Sequence, residues 1–199
     1  KEFLLSKGSE MSAINAVISK TAVDVFIYDT TKDSDGGAWR IRISHTSWYN
    51  EKLNTTTRGS RKEFPAVSVI VVESSKVTIH DGDDPRLPMW MVFNGGNDVR
   101  MVGSVPTAAV LRDGALWVSL NGYGVSEISF IKEVAWRHRN NVNSNYYGKF
   151  HGVIVDRNVN STFSKSDYIG ALVNGLCHDI AITVLPNAPI DADTGLPVP

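Results

Sequence analysis

The sequence predicts an all-β fold of propeller-like antiparallel blades, preceded by a short N-terminal helix. Three observations carry that expectation. Short apolar runs with period-two alternation recur through most of the chain, Gly- and Asp-bearing turns separate them, and one three-strand pattern occurs twice. At 199 residues, with 42% hydrophobic and 21% charged side chains, the chain is long enough to bury a core and ordinary enough in composition for one globular domain.

The helix is expected over Ser9 to Ala22, where Met11, Ile14, Val17 and Ile18 follow a helical spacing, so residues 1–22 read as a helical or extended N-terminal segment. Strands are expected next. Val23 to Tyr28 alternates, Asp33-Ser34-Asp35-Gly36-Gly37 marks a turn, and Trp39 to Ser44 alternates again with Arg40 and Arg42 on the wet side, which predicts a hairpin. His45 to Pro65 is polar and without period, as in a long surface loop.

Residues 66–93 and 107–131 then share one pattern at an offset of 41 residues. Each runs apolar strand, tight polar turn (Glu73 to Lys76; Arg112 to Gly114), second strand, Gly-bearing turn (Asp81 to Asp84; Asn121 to Gly124) and third strand (Met89 to Phe93; Ile128 to Ile131). His178 to Leu185 is expected to open a further unit, displaced by an inserted loop at about 135–175. Stacked blades bury their apolar faces and leave only short edges, whereas a sandwich or meander is the simpler rival. About three blades are too few to close a ring, since propellers use at least four. The turn at Asp191 to Pro199 likewise leads toward an apolar run that does not follow, so residues 23–199 are expected to form a β-rich domain that continues in a longer polypeptide.

Charge and motif content exclude several classes of function. Twenty basic against twenty-one acidic residues give a formal charge of −1, which offers no bulk attraction to nucleic acid. No apolar run approaches bilayer length, so no membrane insertion is expected. The single cysteine, Cys177, excludes an intrachain disulfide, and its neighbour His178 would project to the opposite face of a strand, so the two cannot act as nucleophile and base. The five histidines are isolated from one another, and no zinc spacing occurs. Asp33 to Gly37 and Asp81 to Asp84 resemble fragments of calcium loops, but Asp and Gly are also the usual turn formers, and turns are the expectation. No catalytic residue, metal or cofactor is predicted.

Binding character is concentrated in Trp136 to His151, where Trp136, Tyr146, Tyr147 and Phe150 interleave with Arg137, Arg139 and Lys149. Aromatic anchors beside cations fit a protein interface, and also fit stacking on sugars or bases, or a loop folded down onto the sheet beneath. The interface expectation rests on Trp136, Arg137, Arg139, Tyr146, Tyr147 and Phe150. A weaker ligand-binding group is Trp48, Tyr49, Arg58 and Arg61.

The segments VFIYDTTKDSDGGAWR (Val25 to Arg40), HTSWYNEKLNTTTRGSRKEFPAVSVIVVESSKVTIHDGDDPRLPMWMVF (His45 to Phe93) and ITVLPNAPIDADTGLPVP (Ile182 to Pro199) resemble large virion proteins of marine tailed bacteriophages. The resemblance covers most of the chain from about Ala22 onward. It implies a β-propeller-like structural component of the virion, tail- or fibre-associated, whose partners are further copies of itself and other virion proteins. No catalytic residue comes with it. The rival from another class is a carbohydrate-binding or carbohydrate-cleaving propeller acting on a host-surface glycan, with Arg58, Arg61 and Asp33 or Asp35 as contributors.

Overall fold

The run AVDVFIYD, rich in β-branched and aromatic residues, forms strand β1 (Ala22–Asp29) of a computed structural model. The structure describes residues 20–47, 51–55, 58–95, 102, 105–140, 146–149, 154–159, 164–165 and 172–198. The helix expected over Ser9 to Ala22 lies almost wholly outside them, and Ala22 itself opens β1. The described residues are mostly β.

β1 pairs antiparallel with β2 (Val67–Glu73), which continues into β3 (Lys76–Asp81) and β4 (Met89–Asn94) to make a four-stranded sheet in the order β1-β2-β3-β4. A second sheet is a meander of β5 (Pro106–Arg112), β6 (Ala115–Leu120), β7 (Gly124–Ser129) and β8 (Val134–His138), extended by β9 (Tyr146–Lys149) and β10 (Ser164–Lys165). The two similar stretches of sequence are therefore two three-strand meanders, β2-β3-β4 and β5-β6-β7. Their tight turns differ in chemistry. Asp113 and Gly114 both have positive φ (49° and 75°), the backbone of a two-residue hairpin turn that follows the twist of its strands.

Three expectations are corrected. Trp39 to Ser44 is not the second arm of a hairpin: Trp39–Arg42 forms a single helical turn, α1, and Ile43–His45 a 3-10 turn, while β1 takes its partner from β2 across the long loop. The burial pattern is helical in spacing, with Trp39 and Ile43 fully buried four residues apart and Ile41 79% exposed between them. The insertion expected at about 135–175 does not begin as a loop. Residues Trp136 to His138 belong to β8, and β9 continues the same sheet. His178 to Leu185 joins no sheet among the described residues, and the turn after it carries the isolated bridge between Ile190 and Pro197.

Both sheets contribute to one core. Its centre is Phe64, delivered by the end of the long loop, whose ring lies 4.7 Å from Trp90, 5.0 Å from Trp39 and 5.1 Å from Phe130. Such tilted and edge-on pairs add to area burial because ring edges meet ring faces. Where the two sheets adjoin, at β1 and β5, they do not share a ladder, and the Ala109 N–H donates instead to the Asp24 carboxylate at 3.0 Å.

A buried carboxylate joins the parts. Asp33, 7% exposed, accepts from the Tyr28 hydroxyl of β1, from Trp39 Nε1 of α1 at 2.8 Å and from the Asp113 N–H of the β5–β6 turn at 3.1 Å. Asp113 answers by accepting from the Ser34 N–H and hydroxyl at 2.8 and 2.7 Å. Gly114 then packs against the Trp39 ring, where a Cβ would come within 3.0 Å, so this turn needs glycine for space as well as for φ.

Burial raises the pKa of the Asp33 carboxyl, with the hydrogen bonds from Tyr28 and Trp39 opposing that rise. The folded chain therefore holds this proton more tightly than the unfolded chain does. The stability linked to its titration is complete below the ordinary carboxylate value of ~4 and is lost as pH rises through the raised value. Asp33→Asn removes that linkage and leaves donors competing for fewer acceptors, at a cost of about 1–3 kcal/mol. The difference in urea midpoint between the parent and Asp33→Asn is expected to be wider in acid than at neutral pH. Phe64→Ala, which empties the centre of the aromatic cluster, is expected to cost about 3–5 kcal/mol by the same measurement.

Candidate functional site

Alternation along β6, β7 and β8 divides the second sheet into two chemically different faces. Leu116, Val118, Ile128 and Ala135 point into the core and are buried, whereas Trp117, Glu127 and Trp136 point outward and are half-buried. Register places these three side by side. Trp117 pairs with Glu127, Glu127 with Trp136 and Trp136 with Tyr147, so one row crosses four strands. Neighbouring strands lie about 4.8 Å apart, which separates the two tryptophans by about 10 Å with a carboxylate between them.

The row is braced at both sides. His138 stacks on Trp117 with centroids 5.9 Å apart and 17° between planes, and its Nε2 lies 3.0 Å from the Glu127 carboxylate. On the other side Lys132 donates to Asp191 at 2.7 Å and lies 3.6 Å from Asp193, which ties the C-terminal turn to the β7–β8 connection. Burial draws the Lys132 pKa down, but the hydrogen bond and charge of Asp191 outweigh it and hold the ammonium above its ordinary value. The same contact holds the Asp191 carboxyl below its ordinary value.

Arg112, Trp117, Glu127, Lys132, Trp136 and Asp191 border a groove of about 100 Å³. A larger hollow of about 570 Å³, lined by Arg42, His45, Lys132, Trp136 and Asp193, lies beside it. Trp136 and Lys132 form the wall common to both. Trp117 Nε1 is buried with no hydrogen-bond partner among the described residues. An aromatic floor with one carboxylate and a rim of mixed charge can dock a protein side chain or the face of a sugar.

The residues expected from sequence fall into different places. Trp136 is on this face. Arg137, its neighbour on β8, points the other way, is fully buried, and donates from Nε to Ser126 Oγ at 3.4 Å, so it is a core residue and not an interface contact. Arg139 lies over the Tyr123 ring at 5.3 Å. Tyr146 and Tyr147 are on β9, and Phe150 lies outside the described residues.

In the weaker group, Trp48 and Tyr49 lie outside the described residues. Arg58 is 2% exposed, its guanidinium 4.8 Å above the Trp90 ring and donating to the Arg61 carbonyl. Arg61 pairs with Asp81 and Asp83. Burial lowers the Arg61 pKa, but the hydrogen bond it donates to Asp81 and the charges of Asp81, Asp83 and Glu63 outweigh that and raise it. Arg58 is thus buried beneath the surface, and Arg61, about a third exposed, is paired with carboxylates of the fold.

The Asp-rich segments are turns. Asp83 accepts from the Ala66 and Val67 N–H groups, Asp84 pairs with Arg86, and Asp35 accepts from the Gly37 N–H and pairs with Arg42. Among the described residues, no three His, Cys, Asp or Glu side chains gather as a metal site, and no helix is long and apolar enough to cross a membrane. Trp117, Glu127 and His138 were not singled out by sequence. Trp117 stands between Leu116 and Val118, Glu127 between Ser126 and Ile128 and His138 between Arg137 and Arg139, and they become a site only when register aligns the strands.

No family model, curated protein or solved structure matches this chain.

The opposite orientations of Trp136 and Arg137 have a measurable consequence. Arg137→Ala is expected to destabilise the fold by about 3 kcal/mol or more, since it removes a fully buried charged side chain from partners that remain. Trp136→Ala is expected to cost about 1 kcal/mol. Urea unfolding followed by circular dichroism compares the two.

Proposed function

We propose that this chain is a non-enzymatic structural component of a bacteriophage virion, tail- or fibre-associated, that works by assembly with copies of itself and other virion proteins. The virion assignment rests on the resemblance in sequence. The observation that supports assembly is the outward row Trp117, Glu127, Trp136, an aromatic centre bordered by Arg112, Lys132 and Asp191. Interface anchors have this composition, in which a few rings supply desolvated area and a charged rim fixes orientation. In this reading the two meanders are successive propeller-like blades, and neighbouring chains or further blades complete the ring.

The same row favours one other reading. Two indole rings about 10 Å apart around a carboxylate suit the repeat of an oligosaccharide. A carbohydrate-binding module would therefore use this face in place of Arg58, Arg61 and the Asp33 segment.

The test is a Trp117→Ala, Trp136→Ala double variant, examined by association with purified particles and with other virion proteins in sedimentation, with circular dichroism as a control for folding. Loss of each anchor costs an interface about 2 kcal/mol, roughly 30-fold, so the double variant is expected to lose binding by more than either single change, with an unchanged spectrum. Unchanged association would overturn the assignment of this face. Specific retention on a glycan array, lost in the double variant, would replace assembly with sugar binding.

A further inference from the structure

Three Asn-Gly pairs occur in the sequence, Asn94-Gly95, Asn121-Gly122 and Asn174-Gly175. Asparagine is chemically labile in water, most of all before glycine, whose N–H has no side chain beside it to hinder its approach to the asparagine amide. The fold decides whether that reaction runs. It requires an asparagine side chain free to turn, a following N–H not spent in a hydrogen bond, and access for water.

The three pairs differ in these respects. The Gly95 N–H donates to the Ser75 carbonyl at 2.7 Å, so the nitrogen of the first pair is occupied. In the third, Asn174 Oδ1 accepts from the Leu176 N–H at 3.0 Å, which holds the amide against its own backbone, and Gly175 is buried with its carbonyl accepting from the Gly124 N–H at 2.8 Å. Asn121-Gly122 lies at the tip of the β6–β7 connection, beyond the last ladder pair Leu120 and Gly124, and both residues are exposed. Among the described residues the pair's hydrogen bond is from the Asn121 N–H to the Val105 carbonyl at 3.0 Å, which uses neither the side-chain amide nor the Gly122 N–H. Gly122, at φ 82°, has nothing within 4 Å of the place a Cβ would take.

We propose that Asn121 is a site of spontaneous deamidation in the folded chain, with water as the co-reactant. The Gly122 nitrogen, deprotonated by hydroxide, adds to Asn121 Cγ. The new C–N bond replaces the Cγ–Nδ2 bond, the departing nitrogen takes a proton from water and leaves as ammonia, hydroxide is regenerated, and a cyclic succinimide remains. Water then adds to one of the two ring carbonyls, the C–N bond on that side breaks, and the ring nitrogen takes back a proton. Opening at Cγ leaves an aspartyl residue, and opening at the main-chain carbonyl leaves an isoaspartyl one. No electrons are transferred, so neither oxidant nor reductant is needed. Either product carries a new negative charge at the hairpin tip, and the isoaspartyl form lengthens by one carbon the connection between the strands that carry Trp117 and Glu127. The proposal stands independently of the assembly reading.

The test uses the full chain, incubated folded in mildly alkaline buffer beside the same chain in urea, and followed by intact mass and peptide mapping. The folded chain is expected to gain about one dalton, first in the peptide holding Asn121 and divided there between aspartyl and isoaspartyl forms, whereas in urea all three Asn-Gly pairs react at comparable rates. Asn121→Gln, which would have to close a larger and slower ring, is expected to remove the early gain with an unchanged circular dichroism spectrum. Earlier reaction at Asn94 or Asn174 in the folded chain, or equal reaction at all three pairs, would overturn the proposal. So would an intact Asn121 after a period in which the unfolded chain has reacted, or an early mass gain that persists in Asn121→Gln.

Discussion

The Asp33 carboxylate is the constraint on which the other parts depend. It accepts from β1 through Tyr28, from α1 through Trp39 and from the β5–β6 turn through Asp113, so three segments distant in sequence are held by one side chain. A buried carboxylate is costly unless its oxygens are satisfied, and here the donors come from both sheets. The arrangement therefore specifies more than it stabilises. A shift of either sheet against the other would leave a charge without partners, whereas sliding apolar surfaces alone would cost less. Trp39 is held by this bond in the position where its ring meets Phe64 and supports Gly114. The long loop is fixed in turn, since the Arg40 guanidinium donates to the Phe64 carbonyl at 2.7 Å.

Edges are handled by side chains rather than by further strands. At β4, the free edge of the first sheet, Asn158 of the short helix α2 (Ile154–Val159) accepts from the Asn94 N–H and donates to the Val92 carbonyl. One amide thereby imitates the donor and acceptor of a neighbouring strand, and it is buried, so water does not compete. At the junction of the sheets Asp24 does the same for one N–H of β5.

The meanders were legible in the sequence because each strand has one buried face and each turn has its own chemistry, so period two and turn residues agree. Trp39 to Ser44 was misread because WRIRIS satisfies two periods at once. Trp39, Ile41 and Ile43 alternate, but Trp39 and Ile43 are also one helical turn apart, and burial of just those two decides for the helix. The choice depends on where Asp33 and Phe64 lie in space, which no local pattern contains. The same limit applies to the site. Trp136 was visible by composition, and its strand neighbour Arg137 looked equivalent until the pleat sent one outward and the other into the core. Glu127 and Trp117 carried no unusual signal, because a cross-strand row exists only after register is set.

The fully buried Arg137 also explains why composition misled there. A guanidinium on the core face of β8, opposite Ser126 of β7, sits where the neighbouring inward positions are Ile128 and Ala135. Small and hydroxyl side chains at Ser126 and Ala135 leave the volume that its long stem needs, so the apolar part of Arg137 packs as core while its head finds polar contacts. Charge in a sequence is therefore not by itself a sign of surface in this sheet. What separates the outer face from the inner one is the pairing of rings with charges along a row. Trp117 lies beside His138 and Glu127, and Trp136 lies beside Glu127 and Lys132. That division is set by a register shared over four strands.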